Sequence, residues 1–227
     1  MERMGRDGPS RGGPAKAEPA DRPEPVRRPP HLLFEQRLWA AEHGWIAGSD
    51  EVGRGPLAGP VVAAAVVFPR GLCPDTLRGV DDSKRLSSPM RKRLAAVVRQ
   101  ASVAWSIASV DAGEVDRLNI LVASQEAMRR AIDALPLPIT HALVDGLRNP
   151  RLRTPHTAVV GGDGVCLSIA AASVLAKVYR DALMVALDLV HPGYGFAEHK
   201  GYPTVAHRAA LLRLGPCPVH RRSFRLV

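Results

Sequence analysis

From Leu33 onward, stretches with apolar residues at helical spacing alternate with short runs that are apolar almost throughout. Leu33, Phe34, Arg37, Leu38 and Ala41 mark a short helix, with Gly44 as its expected C-cap. Residues 45–51 read as a strand. A glycine-rich turn over residues 53–59 leads to a second strand at residues 61–68, apolar enough to be buried on both faces. Residues 89–101 read as a helix with Pro89 in its first turn, and residues 103–110 as a third strand. Val122, Gln125, Met128 and Ile132 keep a helical period through residues 121–135. Short strands are expected at residues 142–145 and 158–161. A long helix follows at residues 168–190, and its small residues 170–173 allow close packing on a sheet; a last helix covers residues 204–214. There is no internal repeat. Three strands followed by alternating helices and strands predict an α/β fold, a mixed sheet flanked by helices.

Residues 1–30 break this pattern. They are rich in Pro, Gly and Arg and too polar to offset their ordering entropy, so a disordered tail is expected there, followed by a single domain at residues 31–227. No apolar run approaches a membrane span, and residues 1–10 lack the apolar core of a signal peptide, so a cytoplasmic protein is expected. Cys73, Cys166 and Cys217 are odd in number and far apart, which argues against a disulfide framework or a structural zinc site and for reduced thiols in or near the core. The formal net charge is +9. The first thirty residues supply only +2 of it, from seven basic and five acidic side chains. Glu198 is the last acid, and Lys200, Arg208, Arg213, Arg221, Arg222 and Arg225 follow it without offset. Such a flank suits phosphate contacts or an ordinary solvated surface.

The acids carry more information. Asp50 and Glu51 stand together at the end of the first strand, where neighbours point to opposite faces unless the chain bends, as Gly53 allows. Asp145 ends a second apolar strand and Asp163 follows a third. Singly, an Asp-Gly pair is a common turn. Together, converging strand ends would make an oxygen-only cluster, whose repulsion needs a cation and whose hard ligands select magnesium or manganese over zinc.

The words around these acids come in a specific order: Asp50-Glu51-Val52-Gly53-Arg54-Gly55 with Gly59-Pro60-Val61, then Asp82-Ser83-Lys84-Arg85-Leu86, Leu118-Asn119-Ile120-Leu121, Val144-Asp145-Gly146 and Gly162-Asp163. Ser168 to Val178, Tyr194-Gly195-Phe196, His199 to Thr204 and His220 to Phe224 complete the set. Over residues 45–224 the chain resembles bacterial ribonuclease HII. The resemblance implies a ribonuclease H-like fold with a five-stranded mixed sheet and a C-terminal helical region. It implies a four-carboxylate metal site at Asp50, Glu51, Asp145 and Asp163, holding Mg2+ or Mn2+, two ions during catalysis. It further implies that the backbone of Gly53, Arg54 and Gly55 reads a ribose 2′-hydroxyl, that Tyr202 stacks on the sugar at an RNA–DNA junction, and that Lys84 contacts a phosphate. One position departs: Gly161 stands where the family usually has lysine.

The implied reaction is hydrolysis of RNA paired with or embedded in DNA. It cuts 5′ of a ribonucleotide and leaves 3′-hydroxyl and 5′-phosphate ends, in the service of removing ribonucleotides from DNA. The expected substrates are RNA–DNA hybrid and ribonucleotide-containing duplex DNA, and the expected state is a monomer. No sliding-clamp-binding peptide is recognised after Phe224, and no such partner is assigned. Against these roles stand plainer ones: Arg54 as a turn-holding partner of an acid, Tyr202 as packing, Lys84 as a solvated lysine, and Lys177–Asp181 as a surface ion pair at helical spacing. Two other functions compete. One is another ribonuclease H-like nuclease, such as ribonuclease HIII or a junction resolvase; ribonuclease HIII carries a folded N-terminal domain for which the tail is too short and polar. A binding protein without catalysis would lack one of the four acids.

Overall fold

The computed structural model of the protein describes residues 29–226, so the expected disordered tail lies outside the described residues apart from Pro29 and Pro30. Five strands form one sheet: β1 (Trp45–Val52), β2 (Val61–Val67), β3 (Ala104–Val110), β4 (Ile139–Asp145) and β5 (His156–Val159), in the order β3-β2-β1-β4-β5. β1 pairs antiparallel with β2, and β2 with β3; β1–β4 and β4–β5 are parallel. The expected mixed sheet is therefore present.

β2 is VVAAAVV and buried at every position, because both its faces are covered. Val62, Ala64 and Val66 pack with α2 (Ser88–Ala101) and α5 (Leu167–Val190). Val61, Ala63, Ala65 and Val67 pack with α4 (Ile120–Asp133). Small side chains let α5 lie close: Ala170, Ala171 and Ala172 are fully buried, and a methyl group on Gly48 of β1 would fall 2.4 Å from the backbone carbon of Ser168. Beyond α5, α6 (Phe196–His199), α7 (Val205–Leu214) and the C-terminal segment build a separate small core with Leu57, Ala58 and Met184.

Several boundaries differ from expectation for identifiable reasons. The first helix, α1 (Leu33–Ala40), stops before Gly44, because the chain turns at Glu42 with φ +60°. β5 lies two residues earlier than expected, since Gly161 takes φ +65° and residues 162–164 wind into a 3-10 turn. An unanticipated helix, α3 (Ala112–Leu118), is capped by Asp111, whose side chain accepts from the Glu114 N–H at 2.7 Å. The Asp-x-x-Glu spacing resembles a capping box and was its signal. The three cysteines are free, but only Cys166 is buried; Cys73 is exposed.

Candidate active site

The parallel pairing places the acids. The last β1–β4 rung is Ser49↔Val144, so Asp50 and Asp145 are the next residues on two neighbouring parallel strands. The last β4–β5 rung is Asp145↔Val159, and Asp163 follows in the 3-10 turn. Three acids thus stand at the C-terminal edge of adjacent parallel strands, where α/β sheets place their ligands. β1 runs on through Asp50 and Glu51 to Val52 by pairing with β2, one residue past the expected end, and the expected bend comes at Gly53, φ +90°.

Asp145 is close enough to the other three carboxylates to raise the pKa of each. Burial, then the charges of Glu51 and Asp145, push Asp50 well above the usual carboxylate range, while a hydrogen bond from Ser173 opposes. Burial lifts Glu51 to about 7 against the pull of Arg54, with Asp145 adding to the rise. Asp163 is also raised, first by burial and then by Asp82, with Lys84 opposing. Asp145 accepts the Gly162 N–H at 2.6 Å, which ties β4 to the turn that carries Asp163.

Two cations stand among these acids. Arg54 Nη1 lies 3.3 Å from Glu51 Oε1, the turn-holding pair that the plainer reading anticipated. Lys84 Nζ lies 3.3 Å from Asp163 Oδ2 and 3.7 Å from Asp82. Burial lowers the Lys84 pKa, but Asp163 and Asp82 outweigh it and raise it. At Gly161, where the family lysine is missing, an added Cβ would meet nothing within 4 Å.

Among the described residues, no group of three or more His, Cys, Asp and Glu side chains is gathered tightly enough to hold a metal ion. The donor chemistry nevertheless fits a hard divalent cation. All four groups are carboxylates, and three have pKa values raised by burial and mutual repulsion, the signature of negative charge awaiting compensation. Arg54 and Lys84 compensate it in part.

The loop after β1 and the segment holding Tyr202 form one surface. The Leu57 N–H donates to the Gly201 carbonyl at 2.8 Å, and Gly201 (φ +83°) lies so close to the Ala58 carbonyl that a Cβ would meet its oxygen at 2.5 Å. A Cβ on Gly55 would stand 3.7 Å from the ring of Tyr202, so loop and ring lie side by side. Tyr202 is 43 % exposed, which favours a contact surface over interior packing. Its carbonyl is fixed by the Thr204 N–H at 2.8 Å and by His207.

A histidine relay stands behind that carbonyl. The Cys217 N–H donates to His220 Nδ1 at 3.0 Å, so the His220 proton sits on Nε2 and faces His207 Nε2 at 3.1 Å. The His207 proton is then on Nδ1 and donates to the Tyr202 carbonyl at 2.9 Å. Burial lowers the pKa of both rings, that of His220 to about 4. His199 Nε2 lies 2.7 Å from the Tyr194 carbonyl, and the His220 ring packs against Tyr194 and Phe196.

Sequence reasoning missed the most unusual side chains near the site. Arg180 and Arg221 are 1 % and 0 % exposed. Arg221 belongs to the basic flank expected to meet phosphate or solvent, but it is spent on backbone carbonyls inside the molecule. Arg213 and Arg208 also bond carbonyls, of Gly193 and Leu226. Lys177 and Asp181 do pair, at 2.7 Å, but both are only 17 % exposed, so the pair is mostly covered. Nothing in residue type or spacing signals a buried arginine, since arginine is ordinarily a surface residue.

The family model described as Ribonuclease HII matches residues 47–227. The chain is 55 % identical over 192 residues to a curated Ribonuclease HII of Moorella thermoacetica, spanning 85 % of this chain and 92 % of that protein. Among solved structures it is similar to the ribonuclease HII of Archaeoglobus fulgidus in its complex with PCNA. That match has TM-score 0.64 and 26 % identity, over 81 % of this chain and 96 % of that one. It also shares its fold with Bst-RNase HIII solved in complex with Mn2+, at TM-score 0.58 and 21 % identity, over 83 % of this chain and 70 % of that one. No helix of the described residues is long and apolar enough to cross a membrane.

Proposed function

The chain belongs to the ribonuclease HII family, a hydrolase and metal-dependent endonuclease of RNA–DNA hybrids, and on that premise we propose that it cuts 5′ of single ribonucleotides embedded in duplex DNA. The observation that carries this reading is the adjacency of three surfaces. The acids stand at the ends of β1, β4 and the turn after β5; the glycine loop follows β1; and the Tyr202 ring faces Gly55. The reaction leaves 3′-hydroxyl and 5′-phosphate ends, and its place is the removal of ribonucleotides from DNA by a cytoplasmic monomer.

Asp50, Glu51, Asp145 and Asp163 would hold two divalent ions, Mg2+ or Mn2+, with Arg54 and Lys84 yielding the carboxylates they now occupy. Ions held there lower the pKa of water and offset charge on a phosphodiester. The remaining work belongs to the chain. Gly53, Arg54 and Gly55 present backbone groups to the 2′-hydroxyl, which alone distinguishes ribose from deoxyribose, and glycine permits that approach. A site built to bond a hydroxyl rejects its absence by about 10⁴-fold. Tyr202 lies against the sugar at the RNA–DNA junction. Lys84, 74 % exposed beside Asp163, is free to swing to a phosphate.

The test is cleavage of a DNA duplex with one ribonucleotide, in Mg2+ or Mn2+, beside an all-DNA duplex and an Asp50→Asn variant. A cut 5′ of the ribonucleotide, absent from both controls, supports the reading. Cleavage of long hybrids but not of this duplex removes the junction role of Gly53, Arg54, Gly55 and Tyr202. Binding of hybrid without cleavage in either metal would leave a non-catalytic binding protein.

A further inference from the structure

We propose that Arg221 is a positioning residue for ribose recognition, locking the backbone of the Gly53–Arg54–Gly55 loop in its reading geometry from inside the protein. The inference rests on the reading of that loop as the part that recognises the 2′-hydroxyl.

The loop between β1 and β2 has three glycines in seven residues, from Gly53 to Gly59, and two of them take positive φ. Glycine has the widest backbone freedom of any residue, so such a loop does not hold a shape by itself. Recognition of one hydroxyl demands backbone groups fixed to within about 0.5 Å. Something outside the loop must supply the rigidity.

Arg221 lies where that rigidity is needed. Its Nη2 donates to the Gly53 carbonyl at 2.6 Å, its Nη1 to the Arg54 carbonyl at 3.0 Å and its Nε to the Gly59 carbonyl at 3.0 Å. All three guanidinium nitrogens are thus spent on one loop, two of them on residues assigned to the sugar. The Arg221 N–H adds a bond to the Leu57 carbonyl at 2.8 Å, and the Gly59 N–H bonds the Val219 carbonyl at 2.9 Å. A planar fork fixes several acceptors at once, which an ammonium on a flexible stem does not. Arg180 grips the far end of the same loop through the Ala58 and Pro60 carbonyls, and its Nε would collide with any Cβ on Gly53. The segment that carries Arg221 is itself tethered. Asp116 on α3 accepts from the Arg222 N–H, the Ser223 N–H and the Ser223 hydroxyl at 2.9, 2.9 and 2.6 Å. Burying a cation is costly, and burial, then Arg180, drives the Arg221 pKa down to about 9, with Asp116 opposing.

The experiment compares the full chain with Arg221→Lys and Arg221→Gln on a duplex with one ribonucleotide and on the same duplex with a 2′-fluoro sugar there. Folding is verified by thermal unfolding above the assay temperature. The expected result is a loss of at least tenfold in kcat on the ribonucleotide duplex, with KM and the metal-concentration midpoint within twofold. The slower 2′-fluoro reaction changes by less than threefold, so discrimination between the two sugars collapses. Equal losses on both substrates, or an unchanged kcat, would overturn the proposal. Should the Arg221 variants not fold, Asp116→Ala loosens the same strap from the surface, and it is expected to give the same pattern at smaller size; undiminished discrimination there would count against the proposal. If the unaltered protein treats both sugars alike, the reading of the loop fails first, and this result is distinct from a failure of Arg221 alone.

Discussion

One carboxylate oxygen of Glu35 lies 2.9 Å from the backbone nitrogen of Ser168, a residue 133 positions further along the chain. Glu35 comes from α1, and Ser168 is in the first turn of α5, the helix that carries Ser173 and Arg180 to the site. The same oxygen accepts from the Cys166 thiol at 3.2 Å. A buried carboxyl group thus does for α5 what an N-cap side chain ordinarily does. Glu35→Ala is expected to cost about 2 kcal/mol, measured by urea unfolding, and Glu35→Gln less. An unchanged stability in the alanine variant would mean that α5 does not depend on this cap.

Asp50 is expected to trade stability for activity. It is 3 % exposed, and burial and its neighbours raise its pKa, so its ionised form is strained in the absence of a cation. Asp50→Asn removes the charge and keeps the shape. The variant should melt a few degrees higher than the unaltered protein in chelator while losing at least about a hundredfold in cleavage. A lower melting temperature would show that the carboxylate is better compensated than its surroundings indicate.

Gly48 is where β1 and α5 touch. A Cβ there would stand 2.2 Å from the Ser168 hydroxyl oxygen and 2.4 Å from its backbone carbon. The backbone contact cannot be relieved by a rotamer change, so Gly48→Ala should cost about 3 kcal/mol, the upper end for overpacking. In a domain of this size that lowers the melting temperature by roughly 10 °C. Wild-type melting would require that α5 can slide.

The histidine relay behind Tyr202 makes stability depend on pH. Burial first, then His207, hold His220 at about 4, below the usual histidine value of about 6.5. The folded state therefore prefers the neutral ring. The stabilisation is complete above about pH 6.5 and is lost as the pH falls towards 4, because the unfolded chain takes up the proton first. Arg208 and His199 further disfavour charge at His207. Unfolding free energy measured between pH 7.5 and 4 should decline in that window, and His220→Gln should flatten the decline. An equal slope in the variant would assign the pH dependence to the carboxylates.

Tyr202 offers a test on the substrate side. With its ring 43 % exposed beside Gly55, Tyr202→Ala should leave the fold intact and reduce cleavage at a single ribonucleotide by at least tenfold, and cleavage of a uniform RNA–DNA hybrid by less. Base and sugar stacking on an aromatic ring is worth about 1–3 kcal/mol, and a single-ribonucleotide junction concentrates that contact in one place. Equal losses on the two substrates would assign Tyr202 a general role.

The sequence by itself determined the sheet and the acids. An all-apolar run such as Val61–Val67 has to be covered on both faces, and Asp50, Asp145 and Asp163 are written at or within a few residues of the ends of apolar runs, so their place at one edge of the sheet was legible. Residue order also revealed the family, because its motifs are local words. Other features were not local. That β4 lies parallel beside β1 in a register bringing Asp145 next to Asp50 is a long-range pairing which no short window encodes. The fates of the arginines were hidden for the same reason. Arg54 and Arg221 are alike in sequence, yet one is half exposed beside Glu51 and the other is sealed against the carbonyls of Gly53, Arg54 and Gly59. Burial is set by what the rest of the chain brings over a residue, and only the tertiary structure closes the C-terminal segment over the glycine loop.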